Sequence, residues 1–115
     1  EWVASKIKDT LRENYSSNKS KIRISCLGIS FKPNSDDLRG SPALRIVRKL
    51  MDEGYSVDVV EPNITESKEL NIITLDESLE ADLIIILVAH SEFLNKENFA
   101  KIKNTNFLDF CGLMK

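Results

Sequence analysis

The sequence has few of the residues that would assign it quickly to a class of protein. Its 115 residues include only two cysteines, which excludes a disulfide framework and leads us to expect a reducing, cytoplasmic setting. The 16 Lys and Arg against 18 Asp and Glu leave no basic excess, so nucleic acid is not an expected partner. The longest apolar run, residues 83–89, is too short to span a membrane, and the mixed-charge start does not have the pattern of a signal peptide. No group of His, Cys and carboxylate residues has metal-ligand spacing.

Helical and strand patterns alternate along the rest of the chain. This alternation predicts a Rossmann-like three-layer α/β/α domain with a mostly parallel sheet, preceded by an N-terminal helix. The predicted strands cover residues 21–28, 56–60, 72–75 and 83–88, and a last strand begins at Phe107. The predicted helices cover residues 1–15, the stretch from Ser41-Pro42 to a stop at Gly54, residues 76–80 and residues 91–102, and a polar connector covers 16–20. The helix over 76–80 is expected to be capped by Asp76, and the helix over 91–102 to turn Phe93, Phe99 and Ile102 inward.

The loop that follows the first predicted strand, residues 29–42, is the best candidate for a binding site. In open parallel sheets, ligands bind beyond the carboxyl ends of the strands. The loop places Lys32 and Arg39 near the start of a helix, where backbone N–H groups and the helix dipole favour an anion such as phosphate. The alternative is a solvated loop in which Asp36, Asp37 and Arg39 pair with one another. Neither G-x-G-x-x-G spacing nor a P-loop pattern is present, so both alternatives stay open.

Three segments carry a resemblance to a known family: "LGISFKPNSDDLRGSPALRI" from residue 27, "VVEPNI" from residue 59 and "ADLIIILVAHSEF" from residue 81. Together they closely resemble the C-terminal, UDP-binding domain of the UDP-glucose/GDP-mannose dehydrogenase family. Glu61 in the second segment and His90 in the third resemble the UDP-N-acetyl-D-mannosamine dehydrogenase branch of that family. The resemblance extends over about residues 20–115.

The resemblance implies roles for individual residues of the loop. Phe31 and Lys32 match the pair that contacts the UDP-sugar, and the point charge of Lys32 suits phosphate or sugar oxygens. Arg39 matches the arginine that reaches the NAD pyrophosphate across the domain cleft. Asp37 is expected to orient Arg39 or the loop. The supporting positions of the motif are Asp36, Asp37 and Ser41.

The resemblance also implies the organisation of a larger enzyme. Residues 1–20 would be an inter-domain helix and connector, and residues 21–115 the UDP-sugar-binding C-terminal domain. The family places its nucleophilic Cys, its acid/base Lys and its glycine-rich NAD loop in preceding domains, and none of those motifs occurs in this chain. The expected partners are a UDP-sugar, NAD, the N-terminal and central domains of the parent enzyme, and a second copy in a homodimer.

The implied activity belongs to the full enzyme. It would be a cytoplasmic, NAD-dependent UDP-sugar 6-dehydrogenase of surface polysaccharide biosynthesis, which oxidises the C6 alcohol of UDP-N-acetylmannosamine twice and uses two NAD. The chain alone would be inactive. The apolar stripe of the first helix, formed by Val3, Ile7, Leu11 and Tyr15, would then pack on this domain or, together with Trp2, stay partly exposed after loss of a preceding domain.

Four further residues could carry chemistry. For three of them we favour a structural role, and the fourth departs from the family pattern. Cys26 lies within a strand and is expected to be a buried core thiol. His90 is expected to be a capping or hydrogen-bonded loop histidine, and Glu61 a residue that fixes a loop. Cys111 stands where the family has a basic residue that helps to bind substrate, so that contact is lost unless Lys115 or a residue beyond it supplies it.

Two other classes of protein have a similar length and order of elements. A receiver domain of the flavodoxin-like type would need a phosphoacceptor Asp at the end of the central strand, but the sequence there is Val88-Ala89-His90. A structural or dimerisation module could use the stripe of the first helix, but it leaves the loop at 31–42 without a purpose.

Overall fold

Five parallel strands form one sheet in the computed structural model, which describes residues 2–14, 21–64 and 67–112, with side chains for 5–12, 21–64 and 67–112. The strands are β1 (Arg23–Leu27), β2 (Ser56–Val60), β3 (Asn71–Ile72), β4 (Leu83–Ile86) and β5 (Phe107–Asp109), and the helices are α1 (Trp2–Asn14), α2 (Pro42–Asp52), α3 (Leu75–Ser78), α4 (Ser91–Leu94) and α5 (Lys96–Lys103). The predicted α/β class and the N-terminal helix are confirmed. No helix within the described ranges is long and apolar enough to cross a membrane.

The order of the strands across the sheet is β3-β2-β1-β4-β5. β1 pairs with β2 on one side and with β4 on the other, so the chain reverses its direction of winding between β1 and β4. This is the order of a Rossmann fold, whereas a flavodoxin-like receiver has the order 2-1-3-4-5. The topology therefore excludes the receiver alternative.

Alternate side chains of the strands enter two separate cores, one on each face of the sheet. Ile24 and Cys26 of β1 belong to the core that α1 and α2 cover, and Leu27 belongs to the opposite core with Phe93 and Ile102. The two-residue period of a strand requires this division, and it explains why β4 is apolar at all four of its buried positions. The sheet is thus covered on both faces, as predicted.

Helix α1 packs on this domain through the described part of its stripe. Ile7 is fully buried and Leu11 is 2% exposed, and both belong to the core beneath α2. Lys8 forms an ion pair with Glu53 at the end of α2. Burial of two large aliphatic side chains stabilises this packing by about 3–6 kcal/mol before the entropy of ordering is subtracted. For Ile7 and Leu11 the exposed-strip alternative is therefore wrong. The side chains of Trp2 and Val3 and all of Tyr15 lie outside the described residues.

Two predicted details of the helices are wrong. The short third helix starts one residue earlier than predicted and is capped by Thr74 rather than Asp76, because Thr74 and Glu77 form a reciprocal capping box. The helix predicted over 91–102 is divided into α4 and α5 at Asn95, whose side chain accepts hydrogen bonds from the N–H groups of Glu97 and Asn98. An Asn that caps a helix in this way competes with continuation of the preceding one. Phe99 is only partly buried, whereas Phe93 and Ile102 are buried as predicted.

Candidate functional site

The loop between β1 and α2 forms a closed turn at the carboxyl edge of the sheet. The N–H group of Phe31 donates to the carbonyl oxygen of Asp37 at 2.7 Å, which brings the two sides of the loop together. Phe31 is 58% exposed, and Lys32 next to it is also exposed. A large apolar side chain and a cation are thus presented side by side at the edge of the sheet where ligands of such folds bind.

Arg39 and Asp37 form a two-point ion pair on the same loop. The guanidinium donates to both carboxylate oxygens at 3.0 Å, through Nε and Nη2, and the backbone N–H of Arg39 donates to the same carboxylate. These hydrogen bonds from Arg39 lower the pKa of Asp37 to about 2, with a small further lowering from the charge of Lys32. Asp36 is exposed and forms no hydrogen bond or ion pair with any other described residue. The pairing alternative is therefore confirmed for Asp37 and Arg39 and not for Asp36.

Ser41 connects the loop to the start of α2. Its hydroxyl accepts from the N–H of Leu44, as a helix cap, and donates to the carbonyl oxygen of Ile29 at 2.6 Å. The predicted cap is confirmed, and Pro42 follows it at the first helical position. One side chain thus satisfies the helix end and holds the first residues of the loop.

A buried cluster of polar side chains lies beneath the loop. Glu61, which follows β2, accepts from the backbone N–H groups of Ile29 and Ser30 at 2.9 and 3.2 Å and from Nε2 of His90 at 2.8 Å. Its second oxygen accepts from the backbone and side chain of Asn63. Both Glu61 and His90 have fully buried side chains. Glu61 therefore fixes a loop and His90 is a hydrogen-bonded loop histidine, which confirms both expectations.

Burial is the largest influence on the pKa of Glu61 and acts to raise it. Hydrogen bonds from His90, Ile29 and Asn63 act in the other direction and together outweigh it, so the pKa of Glu61 is lowered below its usual value. The carboxylate is therefore ionised in the folded protein at neutral pH, and its negative charge is held by N–H donors.

Asn34 is the residue of the loop whose structural role sequence reasoning missed. Its backbone N–H donates to Nδ1 of His90 at 2.8 Å, and its side-chain oxygen accepts from the N–H of Ser91 at 2.9 Å. Its φ of 61° lies in the left-handed region, which Asn tolerates better than most residues. An Asn in the middle of a polar loop was the available signal, but its partners are more than fifty residues away in the chain.

The two cysteines have opposite environments. Cys26 is fully buried, and desolvation together with the charge of Asp58 raises its pKa to about 12, which confirms a core thiol. Cys111 is exposed beyond β5, where its N–H donates to the carboxylate of Asp109. Lys115, the residue proposed as a substitute for the basic side chain of the family, lies outside the described residues.

A separate cavity of about 360 Å³ opens at the carboxyl ends of β2 and β3. Its walls are mainly apolar, and three acidic residues, Glu61, Glu77 and Glu92, are among those that line it. The negative charges of Glu77 and Glu92 disfavour a phosphate there, whereas Lys32 and Arg39 carry positive charge on the loop after β1. Among the residues that the structure describes, no group of three or more His, Cys, Asp or Glu side chains could hold a metal ion.

Comparison with known proteins decides the family. Residues 25–115 match the model described as "UDP-glucose/GDP-mannose dehydrogenase family, UDP binding domain". The chain belongs to this family. It is 40% identical over 98 residues to a UDP-N-acetyl-D-mannosamine dehydrogenase of Campylobacter jejuni, which covers 77% of the chain and 23% of the relative. It is 38% identical over 110 residues to the enzyme of that name from Escherichia coli strain K12, which covers 84% of the chain and 26% of the relative.

Solved structures of the family agree with these relatives. The UDP-N-acetyl-mannosamine dehydrogenase Cap5O from S. aureus superposes with a TM-score of 0.74 at 26% identity, over 99% of this chain and 27% of that one. This chain thus spans about a quarter of the length of the curated relatives that it matches. Every residue of the loop at 29–42 lies within the matched region.

Proposed function

We propose that this chain is the nucleotide-sugar-binding part of an NAD-dependent UDP-sugar 6-dehydrogenase that acts on UDP-N-acetylmannosamine. The observation that carries the proposal is the exposed pair Phe31 and Lys32 on the closed loop after β1, in a chain of the UDP-binding family. The Lys32 ammonium would contact phosphate or sugar oxygens, and Phe31 would cover the apolar side of the ligand. Binding and orientation, rather than bond making, would be the contribution of these residues.

Arg39 fits a second anion, the pyrophosphate of NAD. Its side chain is 91% exposed, and the pair with Asp37 uses two of the five guanidinium N–H groups, so three remain for a ligand. Asp37 would hold the guanidinium plane in a fixed orientation. NAD, when bound, supplies hydride acceptance, and most of its binding site would lie in the preceding domains.

In the parent enzyme the C6 alcohol would be oxidised twice to give the uronate, with two NAD reduced. We place the catalytic Cys in a preceding domain, as the resemblance implies, and Cys26, which is buried with a raised pKa, is unsuited to nucleophilic attack. We also propose that residues 1–20 are the inter-domain helix and connector, that the full enzyme is a cytoplasmic homodimer, and that the isolated chain lacks dehydrogenase activity.

Titration of the ¹⁵N-labelled chain with UDP tests the binding role. We expect amide shifts at Phe31, Lys32 and Arg39, and a weaker response to uridine, which lacks the phosphates. Lys32→Ala removes the proposed charge-assisted contact and should weaken UDP binding by about tenfold. The matched control is Lys103→Ala, since Lys103 is exposed in the last turn of α5, at the opposite edge of the sheet.

Two outcomes would contradict the binding role: equal losses of affinity in both lysine variants, or equal responses to UDP and uridine. The activity is tested separately in the full-length enzyme, by the NADH formed per UDP-N-acetylmannosamine consumed. Two NADH per substrate are expected, and a single NADH would exclude oxidation to the uronate.

A further inference from the structure

The exposed segment 31–33 is held at its first end by the buried carboxylate of Glu61 and at its second end by the buried imidazole of His90. Ser30, just before the segment, lies with its hydroxyl 3.2 Å from Nε2 of His90. Asn34, just after the segment, donates its backbone N–H to Nδ1 of the same ring at 2.8 Å. The Ser30 hydroxyl also donates to the carbonyl oxygen of Lys32 at 2.8 Å. Ser30 and Asn34, which flank the segment, therefore both contact the His90 ring, and Asn34 is hydrogen-bonded to it.

The hydrogen bonds determine which nitrogen of His90 carries its proton. A backbone N–H can only donate, so Nδ1 must accept from Asn34 with its lone pair. Nε2 faces the Glu61 carboxylate at 2.8 Å and must therefore be the N–H donor. The ring is thus a neutral Nε2–H tautomer, selected by Glu61 on one side and by Asn34 on the other.

Ser30, His90 and Glu61 have the residue types of a hydrolytic triad but not its geometry. In a triad the acid and the serine contact different nitrogens of the ring. Here both contact Nε2, and Nδ1 is occupied by a backbone N–H. All three residues are also buried, with at most 2% exposure. The arrangement cannot relay a proton to a substrate, and it is suited to holding a loop.

We propose that Glu61 and His90 are positioning residues for the nucleotide-sugar loop. Glu61 holds the first turn of the loop through the N–H groups of Ile29 and Ser30 and orients the His90 ring, and His90 holds the far side through Asn34. These hydrogen bonds connect the turns that follow β1, β2 and β4 into one rigid unit at the carboxyl edge of the sheet. This inference rests on the proposed binding of UDP at Phe31 and Lys32.

Two substitutions at His90 separate its two hydrogen bonds. His90→Asn places an amide oxygen near the position of Nδ1, so it keeps an acceptor for Asn34 but loses the donor to Glu61. His90→Gln places an amide nitrogen near the position of Nε2, so it keeps the donor to Glu61 but loses the acceptor for Asn34. His90→Asn should be the less stable variant, because the buried carboxylate loses a donor.

Affinity for UDP should follow the opposite order. His90→Gln should weaken UDP binding about three- to tenfold, because it loses the hydrogen bond to Asn34 of the loop. His90→Asn keeps that hydrogen bond and should weaken UDP binding by less than about twofold. A merely structural role would make affinity fall with stability, so the crossed order is the diagnostic result. Ile102→Val is the matched control: it perturbs the core under α5, away from the loop, and should leave affinity unchanged.

A measurement without ligand separates this inference from the proposed function. In His90→Gln the amide signals of Phe31, Lys32 and Asn34 should move, and in His90→Asn they should stay close to those of the wild type. Imidazole ¹⁵N spectra of the wild type should show the Nε2–H tautomer. If the wild type fails to bind UDP but the amide and imidazole signals behave as expected, the proposed function is wrong. The inference that Glu61 and His90 position the loop is then still supported. Unmoved loop signals in His90→Gln, the Nδ1–H tautomer, or affinities that parallel stability would overturn the positioning.

Discussion

Replacement of Gly28 with alanine tests how closely β1 approaches the turn after β4 at the carboxyl edge of the sheet. Gly28 follows β1 with a φ of +89°, and its N–H donates to the carbonyl oxygen of Val60 at 2.9 Å. A Cβ atom at this position would lie 2.6 Å from Cβ of Val88 and 3.0 Å from its carbonyl oxygen. Val88 is itself held to β1, because its N–H donates to the carbonyl oxygen of Leu27. Neither Gly28 nor Val88 can therefore move aside easily.

The expected loss of stability has two parts. An L-residue in the left-handed region costs about 1–2 kcal/mol, and overlap with a packed neighbour adds about 1–3 kcal/mol. Gly54→Ala isolates the first part, since Gly54 has a φ of +99° but no neighbouring atom within 4 Å of the place that a Cβ would take. The reduced entropy of the unfolded chain favours both variants equally and cancels from their difference. Gly28→Ala should therefore be less stable than Gly54→Ala by about 1–3 kcal/mol.

Urea denaturation followed by circular dichroism measures both variants under the same conditions. The midpoint should fall further for Gly28→Ala with an unchanged slope, which would indicate that the unfolded state is the same. Equal midpoints for the two variants would refute the reasoning, because the contact with Val88 would then contribute nothing. The amide signals of the neighbouring Ile29 and Ser30, which bond to Glu61, should shift only in Gly28→Ala.

Three further predictions follow from the ionisable groups. A thiol reagent should label Cys111 quickly in the folded chain and Cys26 only after unfolding, since Cys26 is buried and its pKa is raised to about 12; rapid labelling of both thiols would contradict the burial. The carboxyl signal of Asp37 should titrate near pH 2, and Arg39→Gln should move the pKa of Asp37 back toward 3.8. An ordinary pKa of Asp37 in the wild type would mean that its ion pair with Arg39 does not persist in solution. The lowered pKa of Glu61 means that its ionised form stabilises the fold above about pH 4.5 and that this contribution is lost as the pH falls through the folded pKa. The stability gap between wild type and Glu61→Gln should therefore narrow in acid, and a constant gap in denaturation curves from about pH 7 to pH 3.5 would argue against it.

The elements with regular side-chain patterns were predictable because those patterns are local. The strand at 56–60 is observed with the predicted bounds, and the Ser41-Pro42 helix start and the turn at Gly54 are observed where predicted. Errors arose where a side chain overrides the periodicity. Asn95 divides one predicted helix into two, and Thr74 takes the cap expected at Asp76, because side-chain hydrogen bonds to the backbone decide helix ends.

For the candidate site, the motif identified the residues at the surface but not the support beneath them. Lys32 and Arg39 could be chosen because charge and position after a strand are visible in the chain, and Phe31 because it matches the family motif. Their roles in binding stay predictions. Glu61 and His90 were recognised only as separate loop residues, since no pattern in the sequence indicates that they are partners.

The sequence by itself determined the α/β class, the location of the candidate loop and its membership of a family, because each depends on side chains that are close in the chain. The tertiary structure alone decided the strand order and the buried network under the loop. His90 lies 29 residues from Glu61 and 60 from Ser30, and they meet only because β2, β1 and β4 are neighbours in the sheet. The physical reason is that a buried carboxylate must find its donors in space, and parallel strands bring their carboxyl ends to one edge whatever their separation in sequence.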